Sequence, residues 1–403
     1  IKYIFRVDAF IKRTSMKSVF YYLLTLFWSS EYVDLLFNAS KEYANASLWW
    51  QGLHIHQNAP LMKSITIFSH RDIVNNIVCF RIPSLVAYNH TLLAFAEARQ
   101  QSCHDCGFSR IVYKSSQDGG LSWSKMQFLN DDGLRAKNPT ALYDHHQHQI
   151  VVHYARGDVL RSQCCPAQSN WQVSSHDGNQ WKHRMISHDL ESFVGALPGP
   201  GNAFYHSATQ RYLFPYHYKT ANRPNGQAFV LFSDDYGKHY HISKNHFDSM
   251  DESSVSQWND THLYINMRNS HQTSCNCRGV AFSHNAGTDW SSISYANPLK
   301  DPICQGSTLS SQNYTYFTNP SMVYARSNLT IHYKPYSKTD WKHTRITDEL
   351  CFSDYSSLAH FTDASTHKNY LGVVWGSCKV AVPFRVWCMF EHSWEILFTR
   401  VFI

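Results

Sequence analysis

The chain has little charge. Asp, Glu, Lys and Arg together make up 16% of its 403 residues, while aromatics make up 15%. Disorder needs high charge and few aromatics, so it is excluded. A coiled coil or long helical rod, rich in Ala, Glu, Lys and Leu, is excluded as well. The 36 basic residues exceed the 30 acidic ones by only six. That excess suits an acidic ligand, but it is too small and too dispersed for a nucleic-acid partner. After residue 75 there is no apolar run long enough to span a bilayer, no Pro-rich linker and no low-complexity tract. Helical periodicity is scarce there too. Eleven cysteines are too few for a disulfide scaffold. Cys103-His-Asp-Cys106 has no second pair at ligand spacing, and Cys275-Asn-Cys277 is tighter still. Disulfides or free thiols are expected at both, rather than zinc. The run His145-His146-Gln147-His148 reads as a polar loop.

The amino-terminal part differs in character. Met16-Lys17-Ser18, the apolar stretch Val19–Trp28 and Ser29-Ser30 follow the order of a secretory signal, expected over 16–30. Residues 1–15 are then expected to play no part in the fold, and 31–74 to be a lead-in. The sequons at Asn38, Asn45, Asn89, Asn259, Asn313 and Asn328 agree with a secretory-pathway lumen and N-glycosylation. The 25 histidines would charge in an acidic lumen.

Past residue 75, short β-type runs such as Arg81–Ala87, Ile150–Tyr154 and Leu371–Trp375 alternate with turn residues. An internal repeat organises them. Ser116-Gln-Asp118-Gly-Gly120-Leu-Ser-Trp123 fits the pattern S-x-D-x-G-x-x-W. Ser233 to Tyr240 fits with Tyr in the last place, Ser283 to Trp290 with Asn for Asp, and Ser174 to Trp181 with His for Asp. Lys334 to Trp341 is a degraded fifth copy. The Asp side chain can bond the turn's own amides, Gly permits a left-handed backbone, and the aromatic packs beneath the hairpin. One such turn per ~55 residues suits four short antiparallel strands per unit. The expectation is an all-β six-bladed propeller over 75–403.

With these turns the chain resembles the sialidase (neuraminidase) family, whose Asp boxes they match. Phe80-Arg81-Ile82-Pro83 is similar to that family's Arg-Ile-Pro motif. Glu97-Ala98-Arg99, Asn-Met-Arg268-Asn with Cys275-Asn-Cys277-Arg278, Pro198-Gly-Pro-Gly201 and Tyr355-Ser-Ser-Leu-Ala resemble the animal lysosomal branch. The resemblance implies an exo-α-sialidase acting on terminal sialic acids of glycoproteins and oligosaccharides. It also implies a lysosomal lumen, no metal or organic cofactor, and two further associations: a complex with a protective serine carboxypeptidase, and a homo-oligomer.

A sialoside carries a carboxylate on its anomeric carbon, and planar bidentate arginine holds such an anion best. The family's three arginines match Arg81, Arg268 and Arg326. A carboxylate nucleophile would be repelled by the substrate's own carboxylate, whereas a neutral tyrosine avoids this. Sialidases with a tyrosine nucleophile are a known exception to two-carboxylate hydrolysis. By the resemblance Tyr355 is that nucleophile, and Glu252 is its activating base, with the adjacent Asp251 as the alternative. Asp105 is the acid/base on a loop suited to closing over substrate, and a local Cys103–Cys106 link would stiffen that loop. Arg99 lines the pocket, Asn138 lies near the amide side of the sugar, and Tyr216 and Tyr218 are glycerol-side contacts.

One departure stands out. Relatives carry a Tyr-Glu pair late in the last blade, whose Glu supports the arginines. Here Gly376 to Cys388 intervenes, so 376–388 reads as an insertion and Glu391 as the displaced match. That segment keeps a second reading open, a catalytically impaired, lectin-like propeller that binds sialic acid. A transferase that passes sialic acid to another sugar would use the same pocket residues.

Overall fold

The computed structural model describes residues 62–403 except 73, 75, 106, 131–132, 158–168, 191–192, 194, 221–222, 273, 349–350 and 379–393. The chain divides into 1–59 and 60–403, and the described residues all belong to the second unit. The expected signal segment and residues 1–15 lie outside the described residues. So do Cys106, Glu391 and residues 379–388 of the expected insertion.

Six sheets of mainly antiparallel strands follow one another along the chain, and the last of them takes one strand from before the first. Blade 1 runs Ile77–Tyr88, Thr91–Gln100, Ser109–Ser116 and Gln127–Phe128. Blade 2 runs Arg135–Asp144, Gln149–Gly157, Ser169–Ser175 and Lys182–Met185. Blade 3 centres on Arg211–Thr220 and Arg223–Ser233. Blade 4 begins at Ser253–Gln257 and blade 5 at Ser307–Ser311. Blade 6 takes Ser356–Thr362, Asn369–Cys378 and Trp394–Phe402 from the end of the chain, and its outer strand, Ser64–Phe68, from the beginning. This is a six-bladed β-propeller. It starts earlier than residue 75, because the last blade needs Ser64–Phe68 to cover an otherwise open edge. Gly376, Ser377 and Cys378 are not inserted either; they pair with Ile396, Glu395 and Trp394 as ordinary strand.

The apolar cores lie between blades. Along Thr91–Gln100, Leu92, Ala94, Ala96 and Ala98 join Phe80, Phe361 and Phe398 in the wedge between blades 1 and 6. Leu93 and Phe95 join Tyr113, Val152 and Tyr154 between blades 1 and 2. Alternation puts successive side chains on opposite faces, and here both faces are covered. The strand therefore reads as a continuous buried run rather than an alternating one.

The repeated turns lock the blades together. Ser116 Oγ accepts from Gly120 N (2.8 Å) and donates to Asp118 Oδ1 (2.8 Å), while Asp118 Oδ1 takes Ser122 N (2.9 Å). Gly120 has φ +86°, and a Cβ there would sit 2.0 Å from Phe398 of blade 6. A Cβ on Gly287 of blade 4 would sit 2.2 Å from Leu213 of blade 3. The box glycine is thus demanded twice, by the turn and by the preceding blade. The second copy differs in register from the expectation. Ser175, Asp177 and Gly178 make its bonds, not Ser174 and His176. It is a true Asp box shortened by one residue. In the degraded fifth copy Lys334 replaces the serine. Its ammonium donates to Trp258 O (3.0 Å) and lies 3.7 Å over the Trp258 ring.

Polar bonds tie the inner strands together near the axis. Asn202 Nδ2 donates to Leu358 O (2.6 Å) and Leu85 O (3.3 Å), and its Oδ1 accepts from Ser357 Oγ (2.7 Å). Among the described residues no helix is long and apolar enough to cross a membrane.

Candidate active site

The site residues sit at strand ends near the axis. Glu252 immediately precedes the first strand of blade 4, and Tyr355 immediately precedes that of blade 6. Arg268 directly follows Leu263–Met267, and its backbone N donates to Glu252 O at 2.8 Å. Arg81 lies within Ile77–Tyr88, where the ladder slips between Arg81 and Ser84. Ile82 has φ +56° there, a costly conformation for a β-branched residue, and Pro83 cannot donate to the ladder. Such bulges re-aim side chains and concentrate at functional sites. Blade 2 repeats the device at Lys137-Asn138-Pro139, with Asn138 at φ +56°.

These elements bring Arg81, Arg268, Arg326, Tyr355, Glu252 and Asp105 together. The Tyr355 hydroxyl donates to Glu252 Oε1. Arg268 Nη1 lies 2.5 Å from Glu252 Oε2 and 3.1 Å from the Tyr355 hydroxyl. The Arg81 and Arg326 guanidinium carbons lie 5.8 and 5.7 Å from the Tyr355 ring centroid. Burial, and then the Glu252 carboxylate, push the Tyr355 phenol well above its ordinary pKa, so the hydroxyl stays neutral. Between the two acids left open by the sequence, Glu252 is the one on the phenol. Asp251 turns away to Lys219 Nζ (2.8 Å) and Ser270 Oγ (2.8 Å), with His217 Nε2 at 3.6 Å. His217, Asp251 and Glu252 place ligand-type atoms within 4.8 Å of one another. Lys219 and Arg268 already pair the two carboxylates, so the group is an ion-pair network.

Asp105 is held by two arginines. Its Oδ1 accepts from Arg81 Nη1 (2.9 Å) and Arg99 Nη1 (2.7 Å), with its side chain 75% exposed. Arg99 is fixed from below by the fully buried Glu97 (2.7 and 2.9 Å) and donates to Cys103 O (2.6 Å). Glu97 also accepts from Asn138 N (2.9 Å) and so ties blade 1 to blade 2. Cys103 pairs with Cys79, not Cys106, which anchors the acid loop two residues before Arg81. Cys275 pairs with Cys277.

The remaining expected contacts among the described residues are buried. Asn138 is buried, and its amide donates to Pro198 O (3.1 Å), joining inner segments. Tyr216 and Tyr218 are not pocket residues. Both face the blade 2–3 wedge, where Tyr216 is fully buried with its hydroxyl 3.0 Å from His153, and Tyr218 donates to Gln227 (2.9 Å). Alternation puts the intervening His217 and Lys219 on the side of Asp251. Glu391 lies outside the described residues. The acid that spans two of the arginines is Asp354, which sequence reasoning missed. It accepts from Arg81 Nη2 (2.8 Å) and Arg326 Nη1 (2.7 Å). Its only signal in the sequence is its place immediately before Tyr355.

The family model described as the BNR repeat-like domain matches residues 90–367. The chain belongs to that family. It is 24% identical over 318 residues to a sialidase of Micromonospora viridifaciens, covering 71% of this chain and 48% of the relative. The chain therefore spans about half the length of that relative. A sialidase of Paraclostridium sordellii is 22% identical over 303 residues, covering 66% of this chain and 74% of the relative. Among solved structures, the Hadza microbial sialidase Hz136 superposes with a TM-score of 0.71 at 20% identity, covering 84% of this chain and 68% of that one. At that identity the likeness speaks for the fold.

Proposed function

We propose that this protein is an exo-α-sialidase that hydrolyses terminal sialic acids of glycoproteins and oligosaccharides with retention, through a tyrosyl-sialoside. The observation that carries the reading is the Tyr355 hydroxyl bonded to Glu252 inside a cluster of three arginines. The arginines receive the substrate carboxylate. Tyr355 attacks the anomeric carbon and passes its proton to Glu252, while Asp105 protonates the departing sugar oxygen. Water, deprotonated by Asp105, then attacks the same carbon, and Tyr355 leaves with its proton returned from Glu252. A neutral phenol meets no repulsion from the substrate carboxylate, and a base already in contact removes its proton as the bond forms.

A fluorogenic sialoside assay tests this. Tyr355→Phe should lower kcat by about 10³-fold or more, and Arg268→Ala should raise KM by about 10²-fold. 2,3-Difluorosialic acid should lose its anomeric fluoride to the attacking phenol and add the remaining 3-fluorosialosyl group, the reagent less HF, to the peptide containing Tyr355. Full activity of both variants would sink the assignment. Binding of sialic acid without product release would instead identify a lectin-like propeller.

The signal pattern, the sequons and the motifs of the lysosomal branch support a lysosomal or other secretory-pathway lumen. Asn89 and Asn313 are exposed at hairpin tips, where a glycan has room. A mobility shift on glycosidase treatment of the secreted-pathway product tests that routing. The serine carboxypeptidase partner and the homo-oligomer rest on the resemblance, and size-exclusion with and without the carboxypeptidase tests both.

A further inference from the structure

We propose that Asp354 is a positioning residue that sets the geometry of the carboxylate-binding arginines, an inference that rests on the sialidase reading above. One carboxylate spans two guanidiniums, with Oδ2 on Arg81 and Oδ1 on Arg326. It is 1% exposed, so it cannot reach a bound substrate and acts only through the arginines. Its backbone is pinned as well. Asp354 N donates to Gly376 O (2.8 Å), and Gly376 N to Tyr355 O (3.0 Å). A Cβ on Gly376 would lie 3.1 Å from the Asp354 Cβ, so the glycine clears the space that the acid occupies. Arg81 is buttressed on another side by the Trp394 ring, 4.7 Å from its guanidinium carbon. Arg326 is held at a second nitrogen by Ile303 O (3.2 Å) and through its own carbonyl by Ser353 N (2.9 Å).

Two guanidiniums side by side repel, and without an internal counter-ion they would splay or bind whatever anion is present. Asp354 neutralises part of that charge from beneath. It leaves the outward nitrogens in a fixed fork suited to a carboxylate. Its place immediately before Tyr355 couples the substrate-orienting arginines to the nucleophile in two consecutive residues.

Asp354→Asn keeps the shape and removes the charge. The expected result is a rise in KM for a fluorogenic sialoside of about tenfold or more, with kcat changed by less than about threefold. Inorganic phosphate should become a better competitor by about threefold or more, because a freed guanidinium accepts a small anion. A purely structural role would lower thermal stability and leave the phosphate inhibition constant where it was. KM and phosphate inhibition both within twofold of wild type would overturn the proposal. If the Asn variant does not fold, Asp354→Glu replaces it. The charge is kept but displaced by a methylene, and KM should still rise about fivefold. An unchanged KM there would equally overturn it. If wild type neither hydrolyses sialosides nor binds sialic acid, the sialidase reading fails on its own. Phosphate affinity, wild type against Asp354→Asn, then decides the arginine-positioning role. Tighter phosphate binding by the variant supports it, and equal binding overturns it.

Discussion

Asp105 shows how charge and role conflict within a single residue. Partial desolvation by the groups around this largely exposed side chain would raise its pKa, but Arg81 and Arg99 outweigh that and hold the carboxyl well below the usual range. In the free protein the group is therefore an anion, while proton donation needs the acid form. A substrate carboxylate that engages Arg81 would weaken one of the two ion pairs and return Asp105 toward its ordinary pKa. Proton donation then favours low pH, so kcat should fall as pH rises past the acid's value in the complex. Asp105→Asn should cost about 10²-fold or more on a natural sialyl oligosaccharide. A methylumbelliferyl sialoside, whose leaving group needs little protonation, should lose about tenfold less. Equal losses on both substrates would remove Asp105 from the acid role. At this scale the sequence was legible where motif and chemistry coincide, as at Arg81, Arg268, Arg326, Glu252 and Tyr355. It was not legible at Asp354, since an acid beside a tyrosine has no spacing signature. Nor was it legible at Tyr216 and Tyr218, where the side a strand residue faces depends on which blade covers it.

The element scale belongs to the Asp-box turn. Each box closes a hairpin with its own side chains, and each box glycine also rests on the blade before it. The first property is local and therefore readable as S-x-D-x-G-x-x-W. The second is tertiary and appears nowhere in the repeat. Gly120→Ala tests the two together. The new Cβ would meet the Phe398 ring at a left-handed backbone position. The expected loss is about 2–4 kcal/mol of unfolding free energy, measured by urea denaturation. A loss below about 1 kcal/mol, the cost of a strained turn alone, would show that the contact between blades is soft. The shortened box at Ser175-His-Asp177-Gly178 also belongs here. A fixed pattern could not see a one-residue deletion, yet the Ser–Asp–amide bonding tolerates it.

At the scale of the whole molecule, the histidines take on a different meaning. Several are buried and held neutral. Burial lowers His153 well below its ordinary pKa, between the Tyr216 and Tyr240 hydroxyls and stacked 3.5 Å from Phe214. Burial, then the neighbouring His343, lowers His332 to about 4. For such a group the unfolded chain takes up a proton near its ordinary pKa of about 6.5 while the native state does not. The stability His332 contributes is thus present above pH 6.5 and is lost as pH falls toward 4, about 3 kcal/mol over that window. The melting temperature should drop between pH 6.5 and 4.5, and His332→Gln should flatten the drop. A wild-type curve with no slope there would count against this. These buried histidines resist protonation, so a falling pH costs the fold stability at their positions. The sequence by itself determined the all-β class and the repeat of four-stranded blades, because both rest on local turn chemistry, and its motifs named the arginines, Glu252 and Tyr355 that the fold brings together. Only the tertiary structure decided how the propeller closes, with Ser64–Phe68 completing blade 6. It alone decided which face of Arg211–Thr220 points at Asp251, and which acid sits between Arg81 and Arg326. Each of those depends on residues far apart in the chain meeting at one axis, and no local pattern encodes such a meeting.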